Sequence, residues 1–143
     1  LLRRVSLNKG QEMVNTEVGA YKLIVRKNRG SIGAVDFDKI KFKTELRMAR
    51  ENEQILLLGD DKPTNYKNGE LAYFDQNGGY NIDFNYRDAQ RTAVQLETKN
   101  LLINVDGIFD INPQKVEEVL KEAVDKIIKY NGGTLEEFGI VTS

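Results

Sequence analysis

The chain has 143 residues, which suits one domain, and its 21 basic and 22 acidic residues leave a net charge near −1. Because it has no cysteine and no histidine, disulfides, thiolate zinc sites and every catalytic triad that uses histidine are excluded. The balanced charge predicts no bulk attraction to polyanions, and no apolar run reaches the ~20 residues of a membrane-spanning helix. We therefore expect a globular, cytoplasmic protein that uses no cofactor and does not bind membranes.

Two segments have the apolar period of an amphipathic helix. The first covers residues 11–28. The second begins at Asn112, a residue typical of an N-cap, continues with Pro113 in the first turn, and ends before Gly132. The apolar stripes are Val14, Val18, Tyr21 and Val25 in the first helix, and Val116, Val119, Leu120, Ala123, Val124 and Ile127 in the second.

Between these helices the apolar residues alternate with polar ones, as they do in strands. The predicted strands are residues 41–48, 55–58, 71–74, 80–86, 101–105 and 138–141. Leu46 and Met48 are expected to face the core from the first of these strands, and the second strand is expected to be more fully buried than the first. Residues 75–79 (DQNGG) carry the Asn-Gly signal of a hairpin turn.

This order of elements, with strands in the middle and helices at both ends, predicts an α+β domain of layered sheets flanked by helices. No repeat or interdomain linker is present, so residues 1–143 are expected to form a single compact domain. Because the chain begins with Leu1 rather than methionine, an N-terminal part of that domain is expected to be missing.

Acidic pairs are the first features that could carry chemistry. Asp36 and Asp38 resemble a metal-binding pair, but without a histidine or a third carboxylate nearby they favour a local turn, and no metal site is expected. Asp60 and Asp61 follow a predicted strand and are expected to form a solvated loop pair.

The segment 87–92 (RDAQRT) places two arginines on either side of an aspartate, directly after the predicted aromatic strand. A guanidinium group suits the binding of phosphate or carboxylate groups because its planar fork matches their geometry. Arg87 and Arg91 could therefore hold a phosphodiester or an acyl group. The alternative is a structural arginine–aspartate network that joins the turn to the sheet, and the sequence leaves both interpretations open.

Two further features allow a nucleic-acid interpretation beside a structural one. Basic residues at the end of the first helix (Lys22, Arg26, Lys27 and Arg29) could contact a phosphate backbone, but compensation of the helix dipole is favoured. The aromatic residues of the strand 80–86 (Tyr80, Phe84 and Tyr86) could stack on bases. Their strict alternation with polar residues favours a position in the core.

Three segments together indicate a family. They are residues 31–40 (SIGAVDFDKI), 69–75 (GELAYFD) and 87–100 (RDAQRTAVQLETKN), and residues 1–5 (LLRRV) match in the same order. The set resembles the tRNA-binding and editing domain of the phenylalanyl-tRNA synthetase beta chain, and resembles free-standing relatives of that domain more closely. The resemblance covers about residues 1–107 and implies a sandwich of unusual topology flanked by helices.

The resemblance also implies a function. The synthetase domain receives the 3′ end of a wrongly charged tRNA and hydrolyses the aminoacyl ester, a reaction in which a ribose hydroxyl can assist and no protein histidine is required. The implied partner is therefore aminoacylated tRNA and not DNA. A non-catalytic module that binds RNA or amino acids is the alternative. Ligation of amino acids to tRNA is not expected, because no ATP-binding motif is present.

Substrate-binding roles follow from the resemblance for eight positions. They are Gly33, Lys22, Arg87, Asp88, Arg91, Thr92, Glu97 and Asn100. The segment with Gly33 and Ala34 is expected to be a turn that leaves a pocket wall open. The synthetase's own pocket residues are replaced: its Thr-Asn pair is Tyr21-Lys22 here, its loop histidine is Gly33, and its acidic specificity residue is Ala93. No catalytic residue can be assigned.

Overall fold

A computed structural model describes residues 2–6, 31–83, 85–107 and 112–139 of the chain. The strands in chain order are β1 (Leu2–Ser6), β2 (Ser31–Asp36), β3 (Glu45–Met48), β4 (Gln54–Ile55), β5 (Thr64–Asn65), β6 (Leu71–Asp75), β7 (Gly78–Gly79), β8 (Asn81–Ile82), β9 (Arg87–Asp88), β10 (Asn100–Asp106) and β11 (Thr134–Gly139). A short 3-10 helix spans Phe37–Lys39, and the helix α1 spans Pro113–Asn131. The described residues thus form a mixed fold of one helix and several antiparallel sheets.

The chain divides into two compact units. We call Leu1–Phe37 together with Val94–Ser143 the helix unit, and Asp38–Ala93 the hairpin unit. The predicted helix at residues 11–28, with Lys22, lies outside the described residues. The single-domain arrangement stays a prediction.

A four-stranded antiparallel sheet, in the order β11-β1-β10-β2, forms the framework of the helix unit. β10 lies between two partners, and the register pairs Ile103 with Arg3 of β1 and with Ala34 of β2. Apolar residues of β2 and β10 pack with one face of α1. This core consists of Ile32, Leu101, Ile103, Val105, Val119, Leu120, Ala123, Val124 and Ile127. Burial of these aliphatic side chains is the main stabilising contribution within the unit.

Both ends of α1 confirm the sequence prediction. The side chain of Asn112 accepts a hydrogen bond from the Gln114 backbone N–H at 3.0 Å, as an N-cap does. Gly132 ends the helix with a φ of 71°, and its N–H donates to the Ile128 carbonyl at 2.8 Å. Among the described residues, no helix has the length and apolar character needed to cross a membrane.

The hairpin unit contains a three-stranded antiparallel sheet, in the order β3-β6-β7, and two short two-stranded ladders. β6 and β7 form the predicted hairpin, with Asp75 opposite Gly78 and Phe74 opposite Gly79. Tyr66 packs against this hairpin, and its hydroxyl donates to the Asn81 carbonyl at 2.9 Å. The aromatic rings of Tyr66 and Phe74 have their centroids 5.3 Å apart.

The orientation predicted for the strand at residues 41–48 is wrong. Only residues 45–48 form a strand, and its apolar side chains are exposed, with Met48 58% accessible. The opposite face is occupied by Arg47, whose guanidinium lies 3.6 Å from the Phe74 ring centroid and forms two hydrogen bonds to Glu53. Arg47 therefore covers the buried face of the sheet, where the alternation predicted Leu46 and Met48. Its guanidinium lies over an aromatic ring, and its charge is neutralised by Glu53.

Two other strand predictions also need correction. The predicted strand at residues 55–58 ends at Ile55, and only one of its faces is buried: Ile55 and Leu57 are buried, whereas Leu56 and Leu58 are exposed. The predicted strand at residues 80–86 ends at Ile82, because Asp83 and Asn85 adopt φ values of 44° and 65°. Aspartate and asparagine tolerate this left-handed conformation better than most residues, and it turns the chain back. The final strand begins at Thr134, earlier than predicted, and residues 140–143 lie outside the described part.

Candidate functional site

The segment 87–93 is held by backbone hydrogen bonds on both sides. β9 pairs with β8, so that Asp88 lies opposite Asn81, and the Leu58 N–H donates to the Asp88 carbonyl at 2.9 Å. The Ala89 carbonyl then accepts from the Ala93 N–H at 3.0 Å, closing a single turn over the next residues. The side chains of this segment therefore emerge from a fixed backbone.

Arg91 binds an internal carboxylate. Its guanidinium forms two hydrogen bonds to Asp75, at 2.7 and 3.0 Å, and a third to the Gly78 carbonyl at 2.8 Å. The Asp75 side chain is 0% exposed and also accepts from the backbone N–H groups of Lys41 and Asn77. Burial alone would raise the pKa of Asp75, but the hydrogen bonds from Arg91 and the two backbone N–H groups outweigh it, and the pKa lies below its ordinary value.

Arg87 is also paired internally. Its guanidinium donates to both carboxylate oxygens of Asp60, at 2.7 and 3.3 Å, and to the Leu58 carbonyl at 2.9 Å. Asp60 is therefore not the solvated residue that the sequence predicted. The contacts of both arginines match the structural interpretation, an arginine–aspartate network, and its carboxylates belong to Asp60 and Asp75.

Asp88 and Thr92 each have one buried side-chain oxygen with unused hydrogen-bonding capacity. Among the described residues, neither the Asp88 Oδ1 atom nor the Thr92 Oγ1 atom has a hydrogen-bond partner, although both atoms are buried. Burial raises the pKa of Asp88 to about 6. A buried carboxylate oxygen and a buried hydroxyl without partners are costly, and such atoms are commonly satisfied by water or a ligand.

The other predicted site residues lie in the helix unit. Gly33 lies within β2, opposite Asn104 of β10, and so is not in the predicted turn. Asn100 is the first residue of β10. Glu97 is exposed in the segment before β10.

Asp36 is buried in the helix unit and accepts a hydrogen bond from the Thr98 hydroxyl at 2.8 Å. The same hydroxyl oxygen accepts from the Gln95 N–H at 2.9 Å, so Thr98 connects β2 to the segment before β10. Within the described parts of the chain, no three carboxylate side chains lie close enough together to hold a metal ion.

The structure thus brings Arg87, Asp88, Arg91 and Thr92 together in one unit, whereas Gly33, Glu97 and Asn100 belong to the other unit. Convergence of the two groups on one site stays a prediction. Sequence reasoning missed Asp75 and Asp60 as partners of the arginines. No local pattern could have identified them, because they are 16 and 27 residues away along the chain.

A search of curated proteins gave no significant match. Among solved structures, the fold is similar to an N-terminal fragment of the phenylalanyl-tRNA synthetase beta subunit from Pyrococcus horikoshii, with a TM-score of 0.77 and 21% identity. The match covers 94% of this chain and 45% of that one, so the chain spans less than half of the fragment. The family model of the B3/4 domain matches residues 1–132. The chain therefore belongs to the B3/4 domain family.

Proposed function

We propose that this B3/4 domain binds the aminoacylated 3′ end of tRNA and hydrolyses the ester of a wrongly charged tRNA. The observation that carries the proposal is the family match over residues 1–132, which includes the whole hairpin unit and all of the helix unit except its last eleven residues. The similar fold of a synthetase beta-subunit fragment supports it. A layered sandwich of unusual topology, flanked by helices, belongs to the same proposal.

The chemistry fits a chain without histidine. Hydrolysis of an aminoacyl ester needs an oriented water molecule and stabilisation of the negative charge that develops on the carbonyl oxygen. The ribose hydroxyl beside the ester can orient the water or transfer a proton, so the protein needs to supply mainly positioning. We do not assign a general base to any side chain.

Within the segment 87–92, we assign different roles to the two arginines and to the two residues with unpartnered oxygen atoms. Arg87 and Arg91 are engaged by Asp60 and Asp75, so we assign them to the positioning of the loop. Asp88 and Thr92 have unused acceptor atoms and are the better candidates for substrate contacts. An aminoacyl ester carries an α-ammonium group, and a carboxylate and a hydroxyl are suitable partners for this cation.

Deacylation of a panel of mischarged tRNAs tests the proposal. We expect the wild-type protein to hydrolyse at least one member faster than buffer, and Asp88→Asn to reduce the rate at least tenfold. Asp61→Asn is the matched control, since Asp61 is an exposed carboxylate of the same unit. Thr92→Ser should retain activity and Thr92→Val should lose it, because only the first keeps the hydroxyl group.

A module that binds RNA or amino acids without catalysis is the second candidate. It is favoured because both guanidinium groups are already bound to internal carboxylates. They are therefore not free to stabilise the negative charge that develops on the carbonyl oxygen during hydrolysis. Binding of aminoacylated tRNA without hydrolysis at any protein concentration would support this second function and overturn the first. Absence of both binding and hydrolysis would overturn the two together.

A further inference from the structure

Tyr86 is an exposed aromatic side chain that the fold does not use in its core. Its exposed fraction is 76%, the highest among the large apolar residues whose burial is described, whereas Tyr80, at the start of the same segment, is 2% exposed. The sequence pattern favoured a core position for both residues. The Tyr86 side chain lies outside the core because Asp83 and Asn85, which stand between Tyr80 and Tyr86, have positive φ values and change the direction of the chain.

The turn that carries Tyr86 is fixed by hydrogen bonds. The Tyr86 N–H donates to the Ile82 carbonyl at 3.0 Å, and the side chains of Asn81 and Asn85 are hydrogen-bonded to each other. The Asp83 N–H donates to the Glu70 carboxylate at 3.0 Å. Binding to the ring requires the ordering of only two side-chain torsions.

Two cations flank this turn. Arg87 follows Tyr86 directly and is partly exposed, and the Lys67 ammonium, 75% exposed, lies 3.1 Å from the Asp83 carboxylate. Each cation faces a carboxylate, Asp60 for Arg87 and Asp83 for Lys67, and the Glu70 carboxylate adds a further negative charge, so these residues carry no net positive charge. A ligand of this surface would therefore gain more from contact with the ring than from bulk electrostatic attraction.

We propose that Tyr86 is a stacking platform for one unpaired base of a bound RNA. This inference rests on the proposed function, which supplies RNA as the partner. A single tyrosine ring matches the area of one nucleobase and is much smaller than the few hundred Å² of a protein-docking patch. Exposed aromatic rings are the usual means by which proteins bind unpaired bases.

The chain contains no tryptophan, which allows a direct optical test. In Tyr86→Trp, stacking of a base should quench the fluorescence of the introduced indole and protect it from acrylamide when tRNA or a short single-stranded RNA is added. Tyr130→Trp is the matched control, because Tyr130 is a 60% exposed tyrosine on α1, and its signal should not change. An oligonucleotide with the same backbone but abasic sites should not quench, since it offers phosphates without bases.

Affinity measurements complete the test. Tyr86→Phe should bind tRNA as the wild type does, whereas Tyr86→Ala should bind about five- to a hundredfold more weakly, the range for loss of one stacked base. Unchanged affinity of Tyr86→Ala, or equal quenching by the abasic oligonucleotide, would overturn the platform and leave the proposed function intact. If the wild-type protein binds no RNA, the proposed function fails, and the platform fails with it.

Discussion

The helix unit buries mainly aliphatic side chains, whereas the hairpin unit buries aromatic rings and pairs arginines with carboxylates. Leu101, Ile103 and Leu120 are almost inaccessible in the first. In the second, Arg47, Arg87 and Arg91 each form a two-pronged pair, with Glu53, Asp60 and Asp75 respectively. The hydrophobic contribution to stability depends little on pH, whereas paired carboxylates contribute only while they are ionised. We therefore expect the stability of the helix unit to depend mainly on the packing of its core, and that of the hairpin unit to depend also on the protonation of its paired carboxylates.

Among the variants of charged residues, Arg91→Ala should have the largest effect on stability, a loss of about 3 kcal/mol in the free energy of unfolding, because it leaves the buried Asp75 carboxylate without its cation. The pKa of Asp75 is lowered in the folded protein, so the stabilisation is present above about pH 4 and is lost as pH falls through the folded-state pKa. Denaturant unfolding at neutral and acidic pH measures this, and the loss should shrink in acid.

Leu120→Ala is the control from the helix unit. Its side chain is fully buried, so we expect a loss of similar size, about 2–5 kcal/mol, that stays constant over the same pH range. If the loss of stability depends equally on pH in Arg91→Ala and in Leu120→Ala, the expected difference between the two units is wrong.

Asp88→Asn should increase stability at neutral pH. The folded-state pKa of Asp88 is about 6, above its ordinary value of 3.8, so the folded protein holds the proton more tightly and loses stability as pH rises between these values. At pH 7.5 the variant should be more stable by up to about 3 kcal/mol, at 1.36 kcal/mol per pKa unit, and near pH 4 the two proteins should be equal. Thermal unfolding at both pH values measures the difference. If Asp88→Asn is no more stable than the wild type at pH 7.5, the folded protein stabilises the Asp88 carboxylate and the prediction is wrong.

Glu53→Gln should have a smaller effect, about 1 kcal/mol, because its pair with Arg47 is partly exposed. The hydrogen bond from Arg47 is the main cause that lowers the pKa of Glu53 to about 2. The carboxylate therefore stabilises the fold above about pH 4.5, and this contribution disappears as pH falls towards 2. Chemical denaturation from pH 2 to 7 tests this. The same difference between variant and wild type at both ends of that range would contradict it.

Tyr86→Ala should change stability least, by less than about 0.5 kcal/mol, because the side chain is mostly exposed. Unfolding curves of the variant and the wild type should overlap. A large loss would indicate that the ring has a packing role, and the binding tests on Tyr86 would then need Tyr86→Phe as their reference.

Periodicity predicted α1 and β10 of the helix unit well, whereas β1 and β2 were not predicted as strands. The stripe from Val119 to Ile127 and the caps at Asn112 and Gly132 are confirmed, because both signals depend on residues close together in the chain. β10 was predicted for the same reason: a central strand buried on both faces reads as a continuous apolar run.

The hairpin unit was predicted less well, because its contacts are not local. The alternation at residues 45–48 predicted an inward Leu46, but the cation over Phe74 and its pair with Glu53 place Arg47 on the covered face. In the candidate site, the sequence identified the segment 87–92 and left the role of its arginines open. It could not identify Asp60 and Asp75, nor show that Asp88 and Thr92 would hold the unpartnered atoms.

The packing of Tyr66 against the β6–β7 hairpin limits which sequences can adopt this unit. A Cβ atom on Gly79 would lie 1.8 Å from the Tyr66 hydroxyl oxygen and 2.6 Å from the ring carbon that bears it. Even alanine is therefore sterically incompatible with tyrosine at position 66, and removal of the hydroxyl alone would not relieve the overlap. Evolution can enlarge position 79 only if position 66 becomes smaller, so in natural variants these two positions should change together.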